Sequence, residues 1–171
     1  MLAIASCVGS GLDIKRTAER YAMQYFPSYG QIISYHIDTV TLGDNLAYRK
    51  ERAQESLRMD ESLYDLNKKS PYPIKSALEE EAKRIDRDKR WLAALDSLEA
   101  ANADILDQVT AYTCHFNFVT ANTAWVQLDK YGNPLLITDR REKVFLNPGE
   151  DVPGYYELWQ KRYDETHSPA E

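Results

Sequence analysis

Residues 110–141 read TAYTCHFNFVTANTAWVQLDKYGNPLLITDRR, and this stretch decides the fold class. Apolar and polar side chains alternate along residues 110–119 and again along 123–129, and a period of two residues is typical of strands. Residues 130–133, Lys-Tyr-Gly-Asn, suit a tight hairpin turn, and residues 135–141 form a further strand. Consecutive short strands joined by tight turns predict an antiparallel meander.

Upstream of these strands, residues 74–109 contain neither proline nor glycine, which predicts one long helix. Acidic residues precede basic ones by four positions along it, which is the stabilising order. Unbroken, such a helix would be about 50 Å long, so we expect a kink near residues 100–102. Its apolar positions recur every three or four residues and are Leu78, Ala82, Ile85, Trp91, Leu92, Leu95, Leu98, Ile105 and Val109.

The remaining elements follow from similar patterns. Gly43 and Asp44 are expected to break the chain between a strand and a helix, and Pro71 and Pro73 to mark the next break. Tyr155 opens a short terminal helix. The predicted elements before the long helix are a helix over residues 13–26, a strand over residues 31–42 and a charged helix over residues 45–66.

This order of elements is an α+β pattern in which long helices pack on a curved antiparallel sheet. The order resembles that of cystatin-like and NTF2-like folds. The chain has 171 residues, of which 43% are hydrophobic, and this size suits one domain. We predict a flexible start over residues 1–11, a single α+β domain over residues 12–165 and a frayed end over residues 166–171.

Composition and motifs exclude several classes of function. The net charge is −6 and no Lys/Arg run exceeds two residues, so a nucleic-acid partner is not expected. No apolar stretch is long enough to span a membrane. The two cysteines and three histidines lack metal-ligand spacing, so we expect no metal and no cofactor. Motifs for nucleophilic serine, zinc protease, dinucleotide or P-loop sites are missing, which favours a non-enzymatic protein.

The first residues carry a localisation signal. Ile4-Ala5-Ser6-Cys7 resembles the lipobox of bacterial lipoproteins, and the following residues 9–11, Gly-Ser-Gly, look like the tether beyond the anchor. The resemblance implies that Cys7 is lipidated and holds the protein at the cell envelope as a peripheral membrane protein. The alternative is a short apolar strand with a buried cysteine, which leaves a cytoplasmic location open.

A late segment adds to this resemblance. Tyr112 and Phe116 form a YxxxF-type strand, and Asp129 to Gly132 form a D-x-x-G hairpin. Together with the lipobox-like start and the early helix, these features resemble small bacterial lipoproteins of unknown function that are common in Bacteroidetes. The resemblance implies a cystatin-like or NTF2-like domain and names no activity.

Polar residues on two predicted strands form a candidate site. His36 and Asp38 share one strand face, and His115 and Asn117 share a face of another strand. If the two faces coincide, His36, Asp38 and His115 can meet as a metal site or as an acid–base pair. The alternative is that they are solvent-facing strand residues. Cys114 lies among aromatic residues on the opposite face from His115, which predicts a buried, inert thiol.

Aromatic residues cluster late in the chain. They could line a pocket in the sheet or form a docking patch, and the alternative is that they complete a small core. The candidates are Trp125, Tyr131, Tyr155, Tyr156 and Trp159.

Three hypotheses of function remain open. The first is an envelope lipoprotein domain without catalytic activity that binds a protein partner or a small ligand. The second is a small NTF2-like enzyme with its His/Asp site in the cone of the sheet. The third is a cytoplasmic interaction domain in which the long helix pairs with another chain.

Overall fold

A computed structural model describes residues 13–141 and 150–167 of the chain. The elements confirm the α+β class. They are helix α1 (Ile14–Tyr25), strand β1 (Ile32–Thr41), helix α2 (Leu42–Lys68), helix α3 (Lys75–Ala101), strands β2 (Val109–Phe118), β3 (Thr123–Asp129) and β4 (Pro134–Thr138), and helix α4 (Tyr155–His167).

The contacts within the chain divide it into two compact units. Among the described residues, the sheet unit comprises residues 13–40 and 109–141, and the helical unit comprises residues 41–108 and 150–167. Each unit has a hydrophobic cluster of its own. The single domain predicted over residues 12–165 stays a prediction.

The sheet unit contains the predicted meander, with strand order β1-β2-β3-β4. β2 pairs antiparallel with β3, and β3 pairs antiparallel with β4. In the predicted hairpin turn, the Asp129 carboxylate accepts hydrogen bonds from the backbone N–H groups of Tyr131 and Asn133, each at 2.8 Å. Gly132 has a φ of 86°, a conformation that glycine adopts without strain. The turn residues therefore fix the hairpin as the sequence predicted.

Helix α1 covers one face of this sheet. Ala18 and Ala22 are fully buried and cluster with Phe116 and Phe118 of β2. Because alanine is small, the helix backbone approaches the large side chains closely. The helix that packs on the sheet within this unit is therefore the short α1, whereas sequence analysis assigned that position to the long helix α3, which belongs to the helical unit.

Strand β1 ends just before Gly43, as expected, but helix α2 begins three residues earlier than predicted, so Gly43 and Asp44 lie in its first turn. The Thr41 hydroxyl accepts from the Asp44 N–H at 3.1 Å, and the Asp44 carboxylate accepts from the Thr41 N–H at 2.8 Å. This reciprocal capping box starts the helix. Glycine at position 43 suits the close approach of the Leu106 carbonyl oxygen, because a Cβ there would lie 3.2 Å from it.

Helix α3 ends at Ala101, so the helix predicted to reach residue 109 is too long. The expected kink is the end of the helix, where the Asn102 side-chain amide donates to the Leu98 carbonyl at 2.9 Å. The predicted break at residues 70–73 turns the chain, and α2 and α3 pack against each other as antiparallel partners. Their shared buried residues are Leu46, Ala53, Trp91 and Leu95.

The predicted terminal helix is confirmed as α4, which runs to His167. Residues 166 and 167, expected in the frayed end, are therefore helical. Within residues 13–141 and 150–167, no helix combines the length and apolarity that a membrane span requires.

Candidate functional site

The candidate polar residues lie on one face of the sheet. Phe116 packs toward α1, so its strand neighbours His115 and Asn117 point to the opposite face. The Asn117 amide donates to the Ser34 hydroxyl at 2.8 Å, which places the even-numbered residues of β1 on that same face. The two faces that sequence analysis considered therefore coincide. We call this surface the polar face; its candidate residues are His36, Asp38, His115, Asn117, Trp125 and Arg141.

His36 and Asp38 form a direct contact on the polar face. The His36 Nε2 and Asp38 Oδ1 atoms are 2.8 Å apart, and the two side chains are 70% and 62% exposed. Because water competes for both groups, such a pair contributes little to stability. Its position on an edge strand makes both side chains accessible to a binding partner.

His115 and Trp125 form the most ordered contact on this face. They are register partners on β2 and β3, and their rings stack with centroids 4.0 Å apart and planes 12° apart. The Arg141 guanidinium carbon lies 5.9 Å from the centroid of the Trp125 ring, within the range of a cation–π contact. We call these three residues the His–Trp–Arg cluster.

The surroundings of His115 favour its neutral form. Partial burial lowers its pKa, and the charges of Arg141 and His36 lower it further. At neutral pH the imidazole is therefore uncharged and can both donate and accept a hydrogen bond.

We expect the NMR titration midpoint of His115 to lie below the ordinary histidine value of about 6.5. Arg141→Gln should raise that midpoint, because it removes one of the charges that disfavour the imidazolium. Between the folded pKa and 6.5 the unfolded chain binds more protons, so the contribution of His115 makes the protein less stable as pH falls below about 6.5. Arg140→Gln is the matched control for charge. A midpoint above 6.5, or one that Arg141→Gln leaves unchanged, would contradict this account.

Cys114 is buried in the core between the sheet and α1, which confirms the prediction of a buried thiol. Burial raises its pKa to about 12, and the negative charge of Asp38 acts in the same direction. Since the thiolate is the nucleophilic form, Cys114 is inert at neutral pH.

The predicted aromatic candidates are divided between the two units. Trp125 and Tyr131 lie in the sheet unit, where Tyr131 stands on the β3–β4 turn and is 70% exposed. Tyr155 and Trp159 lie in the helical unit. Tyr155 is half-buried against Trp91, with ring centroids 6.1 Å apart, and so belongs to the core of that unit.

Trp159 belongs instead to a row of stacked rings along α4, which sequence analysis did not identify as a row. Tyr156, Trp159, Tyr163 and His167 stack successively, with centroid distances of 5.9, 5.4 and 4.0 Å. The spacing of three or four residues between them was the available signal.

The described residues contain no group of three His, Cys, Asp or Glu side chains that could hold a metal ion. His36, Asp38 and His115 therefore share a face without forming a metal site. Cys7 and the lipobox-like residues 4–7 lie outside the described residues. No protein-family model matches the chain, and neither the curated proteins nor the solved structures contain a significant match.

Proposed function

We propose that this chain is a non-enzymatic module that binds a protein or a small ligand, is held at the bacterial cell envelope by a lipid on Cys7, and binds through the polar face. The observation that carries the binding role is the His–Trp–Arg cluster, in which His115 and Trp125 are partly exposed and Arg141 is exposed. A cystatin-like or NTF2-like fold belongs to the same proposal, and the packing of α1 on one face of an antiparallel meander supports it.

The His–Trp–Arg cluster has the properties of an anchor for binding. Tryptophan and arginine are enriched among the residues that dominate binding energy at interfaces. Here the stack on His115 holds the Trp125 ring, and both residues project from paired strands. A side chain already held in place loses little conformational freedom when a partner binds, so more of the contact energy appears as affinity.

The exposure of the His/Asp pair favours binding over catalysis. General acid–base catalysts work best where closure of the active site excludes water and strengthens electrostatic contacts. His36 and Asp38 lie on an edge strand with more than half of each side chain exposed. The NTF2-like enzyme stays the second candidate, because the 2.8 Å contact and the shared face with His115 are the arrangement that it requires.

The third hypothesis, pairing of the long helix with another chain, is weakened by the packing of α3. Its apolar residues Trp91 and Leu95 already pack with Leu46 and Ala53 of α2. A second partner would have to use other surfaces of the helix.

Site-specific photo-crosslinking tests the polar face. A photo-reactive amino acid at Asn117 should give a defined adduct in the cells of origin, and Trp125→Ala should weaken the interaction by about tenfold or more. The same reagent at Glu80, an exposed residue of α3, is the control. A small ligand would instead be retained by the wild type and lost from Trp125→Ala in native mass spectrometry. Adducts unaffected by Trp125→Ala, together with no retained ligand, would contradict the proposal.

Lipidation of Cys7 is tested separately. Protein expressed from its natural gene should incorporate labelled palmitate and sediment with membranes, and Cys7→Ala should abolish both. Cys114→Ala is the matched control, because that thiol is buried and unreactive. An unlabelled protein in the membrane-free fraction would end the envelope assignment and favour a cytoplasmic location.

A further inference from the structure

A groove in the helical unit runs between helices α3 and α4, and none of its lining residues belongs to the polar face. The residues that line it recur within three or four positions of one another along each helix, and its volume is about 140 Å³. Trp91 provides an aromatic wall, and Glu165 is the acidic side chain among the lining residues. The basic side chains that line the groove are Arg87, Arg90, Lys161 and Arg162.

Two of these four cations already have carboxylate partners. Arg162 donates to the buried Asp88 at 2.6 Å and lies over the Trp91 ring at 4.9 Å. Arg90 contacts Asp86 at 3.4 Å, and both of these side chains are 70% exposed. These contacts hold Arg162 firmly at the groove and leave Arg90 free to reorient.

The other two cations, Arg87 and Lys161, have no ion pair with any residue in the described part of the chain. The Nε atom of Arg87 is buried and has no hydrogen-bond partner there. This Nε atom is itself inaccessible, so the feature that favours an anion is the pair of charges on Arg87 and Lys161, which line the groove without a carboxylate partner in the described part of the chain. The chain as a whole carries a net charge of −6, so this concentration of positive charge does not follow from its composition.

We infer that this groove binds a small phosphate-type anion, with Arg87 and Lys161 as the main donors. Guanidinium groups match the geometry of phosphate oxygens and donate two parallel hydrogen bonds. Lys161 adds a mobile point charge from the facing helix, and Arg162 closes the site beside Trp91. The groove is small, so it takes the phosphate group itself, and any attached group extends into solvent.

Titration of the full chain with inorganic phosphate, followed by isothermal calorimetry or amide NMR, tests the site. We expect saturable binding that Arg87→Gln and Lys161→Gln each weaken by about tenfold. Lys83→Gln is the matched control, because it removes the same charge from an exposed position of α3 outside the groove. Thermal melts show whether each variant is folded, and Lys161→Gln serves as the second variant if Arg87→Gln is destabilised.

The source of the phosphate is resolved by a second arm with phosphatidylglycerol vesicles. If the protein sediments with the vesicles, and if both Arg87→Gln and added free phosphate abolish this co-sedimentation, then the phosphate belongs to a lipid headgroup. Phosphate binding without co-sedimentation assigns a free anion. Equal weakening by Lys83→Gln, or no saturable binding in either arm, would overturn the inference. Because these substitutions lie in the helical unit, a negative result for phosphate binding would not contradict the proposal that the polar face binds a partner.

Discussion

Replacing Phe116 with alanine is expected to lower the free energy of unfolding by about 3–5 kcal/mol. The Phe116 ring is fully buried and is among the largest buried side chains of the protein. Its neighbours on α1, Ala18 and Ala22, have short side chains that cannot extend into the vacated space. The substitution therefore loses both the transfer energy of the ring and the contacts around an unfilled cavity.

Urea unfolding followed by circular dichroism measures this effect, and Tyr35→Ala is the control. Tyr35 is also an aromatic strand residue, but it is 48% exposed on β1. Its replacement is expected to cost less than about 1 kcal/mol, because surface substitutions away from buried contacts have small effects. A loss for Phe116→Ala no larger than that for Tyr35→Ala would show that the ring does not support the core.

The strands could be predicted from sequence because their signal is local. The alternation of residues 110–119 and 123–129 specifies which side chains face the core, and the Asp129–Asn133 turn specifies the hairpin. β3 matches its predicted bounds, and β2 differs by one residue at each end. Each of these features depends on neighbouring residues alone.

The helix ends were harder to predict, because two local signals competed. Gly43 suggested a break, but the reciprocal bonds of Thr41 and Asp44 start the helix before it. The end of α3 carries no proline or glycine, and its terminating contact is the Asn102 side chain on the Leu98 carbonyl. Asparagine is a weaker stop signal than glycine, so the apolar stripe predicts a helix that continues through Ile105.

The residues of the candidate site could be predicted from the sequence, but the way in which they come together in space could not. The sequence shows that His36 and Asp38 share a face, but the Ser34–Asn117 contact that aligns this face with His115 depends on the register of strands distant in the chain. The approach of Arg141 to the Trp125 ring depends in the same way on how β4 lies beside β3. Non-local pairing therefore sets the limit of what the sequence predicts here.

The contact between α3 and α4 gives the second large expected effect. Arg162→Met should lower the free energy of unfolding by about 3–5 kcal/mol, because removing one partner of a buried ion pair leaves the other charge uncompensated. The Asp88 side chain is only 4% exposed, and its Oδ1 accepts from Arg162 at 2.6 Å. Its Oδ2 has no hydrogen-bond partner in the described part of the chain, so no second donor compensates for the loss.

Removing the other partner of the pair, Asp88, should lower the free energy of unfolding by less, and this asymmetry is the test. In Asp88→Leu the remaining Arg162 side chain, which is 28% exposed, can turn toward water. The double variant Asp88→Leu/Arg162→Met replaces the pair with apolar side chains and should recover most of the loss. Urea unfolding of the four proteins gives the coupling energy of the pair directly. If Arg162→Met costs no more than Asp88→Leu, or if the double variant is as unstable as the sum of the two, then Asp88 is not buried as a charge that depends on Arg162.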